Sequence, residues 1–186
     1  MSTITLSTTT ADCWGSPVSG DLWDALTYAY IGGSTEDTDA VRVWIPFTVN
    51  LPRITISTAT LKIIASASGS DAVNIAFLCE DVDNASAPAN QAALAAKALT
   101  TARLNVSPPA AYTAGVEYTY DITTAVQEVL DRAGWVLGNT LAVMIITNAA
   151  SSTLRREIAM SEHATYTEPK LEITYFSDIP KASGMM

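Results

Sequence analysis

Val41-Arg42-Val43-Trp44-Ile45-Pro46-Phe47-Thr48-Val49 alternates five apolar positions with four others, the period-two pattern of a strand with one face in a core. Trp44 falls on the face opposite Val41, Val43, Ile45, Phe47 and Val49. Pro46 cannot donate to a ladder, so it belongs at a sheet edge or a bulge. Working outward, similar runs lie at Ile4 to Thr8, Ile54 to Ala65, Val73 to Glu80, Val116 to Tyr120, Leu141 to Thr147, Leu154 to Met160 and Leu171 to Phe176. Turn-rich pieces separate them, among them Trp14 to Gly20, Gly32 to Asp39 and Ser107 to Gly115 with its Pro108-Pro109 pair.

One segment breaks this rhythm. From Ile122 to Ala133 the apolar residues Ala125, Val126, Val129 and Leu130 recur at helical spacing, with Asp121 or Thr124 placed to cap the first amides and Gly134 to stop the helix. Such a helix covers one end of the strands. The Ala-rich stretch Asn90 to Ala102 has a thin apolar face and reads as an ordered surface loop. The long connection between Glu80 and Val116 suits sheets joined by crossing loops better than a hairpin meander. The expected fold is all-β, a jelly-roll β-sandwich of about eight antiparallel strands with one short helix. The chain reads as a single domain over 1–186, its core about residues 40–176, with Ser2 to Thr10 and Ser177 to Met186 as extensions.

Composition excludes several functions. The 186 residues carry 19 acidic and 10 basic side chains, a net charge of -9, which argues against nucleic acid, whose phosphates demand Lys and Arg. The same balance argues against an anionic membrane surface. Apolar runs such as Leu141 to Thr147 fall far short of the roughly 20 residues that span a bilayer. Met1 to Gly20 holds neither Lys nor Arg nor an unbroken apolar stretch, so no secretory signal is expected and the chain should stay where it is made. In that reducing compartment Cys13 and Cys79 are expected as thiols, Cys79 buried on the face it shares with Val73, Ile75 and Phe77.

Candidate chemistry is sparse. His163 is the one histidine, and neighbouring Ser161 and Glu162 cannot by themselves converge on its ring; a loop histidine is expected, and no enzyme. One His and two distant Cys do not make a zinc site. The acidic run Glu80-Asp81-Val82-Asp83-Asn84 offers oxygens for calcium, with Asp81 and Asp83 as the ligands, set against the alternative of a solvated acidic loop. Aromatic rings provide flat faces that stack on sugars. Trp14, Trp23 and Tyr28, with Tyr30 beside them, cluster in the N-terminal loops as a candidate platform; Trp44 is a lesser one, and Trp135 reads as a plug behind the helix.

Several of these pieces, in this order, resemble the jelly-roll domains of the disaggregatase-related, carbohydrate-binding-module-like class found in bacterial surface proteins and phage-encoded proteins. The matching segments are Val41 to Phe47, Ile56 to Ile63, Glu80 to Ala85, Tyr120 to Val129, Gly134-Trp135 with Gly138 to Ala142, and Pro169 to Tyr175. The resemblance implies a non-catalytic module, used for polysaccharide binding in some relatives and as a structural part in others.

Two functions from different classes follow. One is a structural protein of a phage virion, a capsid decoration or an accessory subunit of head or tail, made in the host cytoplasm. It would dock on other virion proteins or copies of itself through Ile179, Met185 and Met186. A surface poor in charge, with Ala, Thr and Ser at 69 positions, suits such cover. The other is a free-standing carbohydrate-binding module recognising a polysaccharide through Trp14, Trp23 or Tyr28, with calcium in the acidic loops.

Overall fold

The computed structural model describes residues 1–15, 20–24, 26–32, 41–107, 110–147 and 154–176. In chain order the elements are β1 (Ser2–Ser7), β2 (Cys13–Gly15), β3 (Leu22–Asp24), β4 (Tyr28–Gly32), β5 (Arg42–Thr48), β6 (Ile56–Ile64) and β7 (Ile75–Cys79). They continue with α1 (Gln91–Ala95), β8 (Leu104–Val106), β9 (Glu117–Asp121), α2 (Thr123–Leu130), β10 (Thr140–Thr147), β11 (Arg155–Ala159) and β12 (Lys170–Tyr175). One sheet runs β1-β12-β6-β9, a second β3-β2-β5-β10-β7-β8, and β4 pairs with β11 in a third. All pairings are antiparallel.

Among the described residues, setting aside β2, β3, β4 and β11 leaves eight strands. The first, eighth, third and sixth form one sheet; the second, seventh, fourth and fifth form the other. Neighbours in each sheet come from distant parts of the chain, the interleaving that defines a jelly roll. The fold is therefore the expected sandwich. Its first strand is β1, which pairs residue for residue with β12 from Ser2↔Tyr175 to Ser7↔Lys170. The expectation of an N-terminal extension with a core starting near residue 40 is thus corrected, because Ile4 and Leu6 pack on the core between exposed threonines.

Val43, Ile45 and Phe47 of β5 meet Leu61 and Ile63 of β6, Phe77 of β7 and Ile173 of β12 in the main core. The other face of β5 is covered as well. Residues 81–100 fold back over it, tied to the sheet by hydrogen bonds from the Ala85 amide to Thr140 O and from the Thr100 amide to Cys79 O. There Trp44, Leu78, Met144, Cys13 and Leu94 make a second, smaller core. Asn90 to Ala102, expected as a loop, contains α1, whose first turn is capped by Asn90 Oδ1 accepting from the Ala93 amide at 2.9 Å. Pro46 lies beyond the end of β2, whose pairing with β5 stops at Cys13↔Trp44. It therefore sits at a local edge where no donor is needed.

The helix expected over 122–133 is α2, shorter at its C-terminal side. The N-cap is Ile122, without a side-chain cap bond, rather than Asp121 or Thr124; Asp121, one residue earlier, accepts the Thr123 amide and hydroxyl. Gly134 does not end the helix; a Cβ there would overlap the Asp83 carboxylate. α2 lies over the end of the sandwich where β6 begins, with Gln127 bonded to the backbone of Ile54 and Ile56, and Trp135 donating to Leu51 O. The β4–β11 pair lies at the opposite end, bonded to Ser66 and Thr147. Among the described residues no helix is long and apolar enough to cross a membrane.

Candidate ligand-binding face

β4 and β11 are paired so that Tyr30 faces Glu157 and Tyr28 faces Ala159. Alternation sends Ala29, Ile31 and Ile158 into the main core and leaves Tyr28, Tyr30, Arg155 and Glu157 on one common face. The β2–β3 hairpin abuts this face. Trp14 and Trp23 stand opposite each other in it, their rings stacked at 4.2 Å. Tyr30 meets Trp14 edge-on at 5.1 Å and Tyr28 at 5.1 Å and 56°. Offset and edge contacts of this kind are the favoured aromatic geometries, so the four rings hold one another in place.

The aromatics expected as a platform are therefore brought together, but not equally. Trp14 is only 5% exposed and cannot offer a face; it is the floor on which Trp23 rests. Its indole Nε1 is buried without a hydrogen-bond partner. Trp23, Tyr28 and Tyr30 remain partly exposed. The Arg155 guanidinium lies 4.2 Å from the Tyr30 ring centre, a cation–π contact that places a fan of donors beside the aromatics. Burial, with the Tyr28 hydroxyl next, pushes the Tyr30 hydroxyl up to about 12. Trp44, the lesser platform candidate, is 1% exposed under the 81–100 segment and donates Nε1 to Glu80 Oε2 at 2.8 Å.

Arg155 and Glu157 also line a polar cleft of about 360 Å³ with Ser68, Ser70 and Asp71. Its wall is fixed by the buried Arg156, which donates to the backbone carbonyls of Asp71, Gly69 and Ala110. Sequence reasoning placed Tyr30 with the other aromatics but missed Arg155 and Glu157 as their partners. Alternation in Leu154 to Met160 was visible, but which strand it would join was not.

The remaining candidates fare differently. Asp81 and Asp83, expected as calcium ligands, both direct one carboxylate oxygen to the Arg132 guanidinium, Asp83 at 2.7 Å. Among the described residues no group of three or more His, Cys, Asp or Glu is arranged for a metal. His163 Nδ1 accepts the amides of Thr165 and Tyr166, so the histidine organises its own loop. Ser161 lies between the carboxylates of Asp12 and Glu162, at 2.9 and 2.7 Å, rather than on an imidazole. Asp12 is 1% exposed, and burial raises its carboxyl to about 6. Cys13 and Cys79 are buried free thiols, and burial pushes Cys13 up to about 12, far from thiolate reactivity. Ile179, Met185 and Met186 lie outside the described residues.

The fold and this face define a jelly-roll β-sandwich with an aromatic surface at one end. No protein-family model and no curated protein matches the chain. Among solved structures it is similar to the module TmCBM61 in complex with beta-1,4-galactotriose. The identity is 10% over 91% of this chain and 86% of that chain, with a TM-score of 0.30. A likeness of that size says nothing of what this chain binds.

Proposed function

We propose that this protein is a non-enzymatic binding module whose aromatic face takes a neutral polysaccharide. The observation that carries this reading is the locked set of partly exposed rings, Trp23, Tyr28 and Tyr30, flanked by Arg155 and Glu157. Sugar rings present C–H faces that stack on aromatics and hydroxyls that need both donors and acceptors. Rings held rigidly give contact area at low entropic cost, and the Arg and Glu beside them supply the polar pairing. The ligand is a neutral glycan rather than a uronate or sulfated one, since the chain carries a net charge of -9 and Glu157 lies on the same face.

A second reading, an accessory subunit of a phage virion, draws on apolar side chains at the α2 end, where Val136 and Leu137 are 58% and 60% exposed. Those are groups that gain from cover by a neighbour. The two faces are at opposite ends, so one experiment separates them. Retention on immobilised polysaccharides is expected for the wild type and is lost in Tyr28→Ala with a nearly unchanged thermal transition, and in Trp23→Ala, which also gives up its stacking on Trp14 and melts lower. A wild type that passes through every neutral polysaccharide of a broad panel overturns the carbohydrate reading.

A further inference from the structure

Four strands end the two large sheets: β1 and β9 in one, β3 and β8 in the other. A free edge is a template for pairing, and proteins blunt it with charge, proline or brevity. β9 carries Glu117 and Asp121, β3 has three residues and ends in Asp24, and β8 has three residues after Arg103. β1 has none of these devices. It is six residues long, uncharged and without proline, in unbroken register with β12.

The Thr8 amide donates to Pro169 O at 3.1 Å, continuing the β1–β12 ladder. Backbone groups alternate in direction along a strand, so those of Ile4 and Leu6 turn toward β12 while those of Thr3, Thr5 and Ser7 turn to the open edge. β12 is the single strand with which β1 pairs among the described residues. The edge is also self-complementary in sequence. Read in either direction from Thr5, it runs through an aliphatic residue to a hydroxyl residue: Leu6 and Ser7 one way, Ile4 and Thr3 the other.

We propose that β1 is a self-pairing edge that recruits a second copy of this chain, antiparallel about a two-fold axis through Thr5. Thr5 then faces the partner's Thr5, Thr3 faces the partner's Ser7, and Ile4 faces the partner's Leu6. Each copy donates three backbone hydrogen bonds, from Thr3, Thr5 and Ser7, and two four-stranded sheets become one. Ile4 and Leu6, only partly buried in the single chain, gain cover from each other. Like charges do not meet: β1 has none, Lys170 and Glu172 on the adjacent strand offset one another, and Glu168, beside Ser7, ends up at opposite ends of the pair. This surface is separate from the aromatic face and does not depend on it.

The test is sedimentation velocity of the full chain over a wide concentration range, with amide exchange on the same samples. A concentration-dependent dimer is expected, with exchange at Thr3, Thr5 and Ser7 slowing as it forms. Thr5→Pro removes only an outward N–H, which an edge tolerates, and abolishes the dimer while the melting transition is kept. Thr5→Lys, which places two ammonium groups at the axis, also abolishes it and decides the matter if Thr5→Pro fails to fold. Thr5→Ser retains it. A wild type that stays monomeric at the highest concentration reached, or a dimer that survives both disruptive variants, overturns the proposal.

Discussion

Two of the sheet faces that point away from the main core carry aromatic rings. On β5, Trp44 is sealed beneath the 81–100 segment, its N–H on Glu80 and the Lys97 ammonium 5.6 Å from its ring centre. Lys97 also closes an ion pair with Glu80 at 2.9 Å. On β4, Tyr28 and Tyr30 share the common face with Arg155 and remain partly exposed. The rings are chemically alike, and what separates a second core from a candidate binding face is whether another stretch of chain folds over them. An aromatic on a solvent-side strand position is therefore no signal of ligand binding until the fate of the neighbouring loop is known.

The largest effect that tests this contrast is Trp44→Ala. Emptying a fully buried indole site should cost about 3–5 kcal/mol in chemical denaturation, whereas a loss near zero would mean that the 81–100 cover is loose. A finer comparison is Trp44→Phe against Trp14→Phe. The first removes a hydrogen bond to a carboxylate, about 1.5–3 kcal/mol, while Trp14 Nε1 has no bond to lose. Trp14→Phe should thus be the milder of the two, and equal losses would erase the distinction.

The smallest effect separates the buried carboxylates of the two regions. Glu80 faces a cation, but Asp12 faces the neutral amide and hydroxyl of Ser161, with Glu162 close by. Burial lets folded Asp12 keep its proton up to about pH 6, against an ordinary value of 3.8. Between those values the folded state binds more protons than the unfolded state, so this contribution to stability is full below 3.8 and is lost as pH rises through 6. Asp12→Asn should flatten that part of the stability profile measured by thermal melts. An unchanged slope in the variant would assign it to other groups.

Much of the sandwich was legible. Each of the eight runs is a strand: alternation over five or more residues reports one buried face, and the unbroken apolar run Leu141 to Thr147 reports two. What stayed hidden was short or non-local. β2, β3 and β8 have three residues each, too few for a period to register. Leu154 to Met160 read as a sandwich strand, yet its strand β11 pairs with β4 instead, and β8 fills the eighth place. Asp81 and Asp83 looked free because their counter-charge, Arg132, comes from a distant turn after α2. Trp14 and Trp23 were identified together, but only the place of β2 between β3 and β5 shows that Trp14 lies beneath.

Pairing β1 with β12 has a kinetic consequence. Residues near 2 and 175 must meet before the first sheet is whole, so that sheet has high contact order and forms late, which favours slow folding. During synthesis β6 and β9 can pair as soon as both have emerged, whereas β1 waits for nearly the entire chain. An uncharged strand without a partner through that interval is the segment a chaperone would be expected to hold.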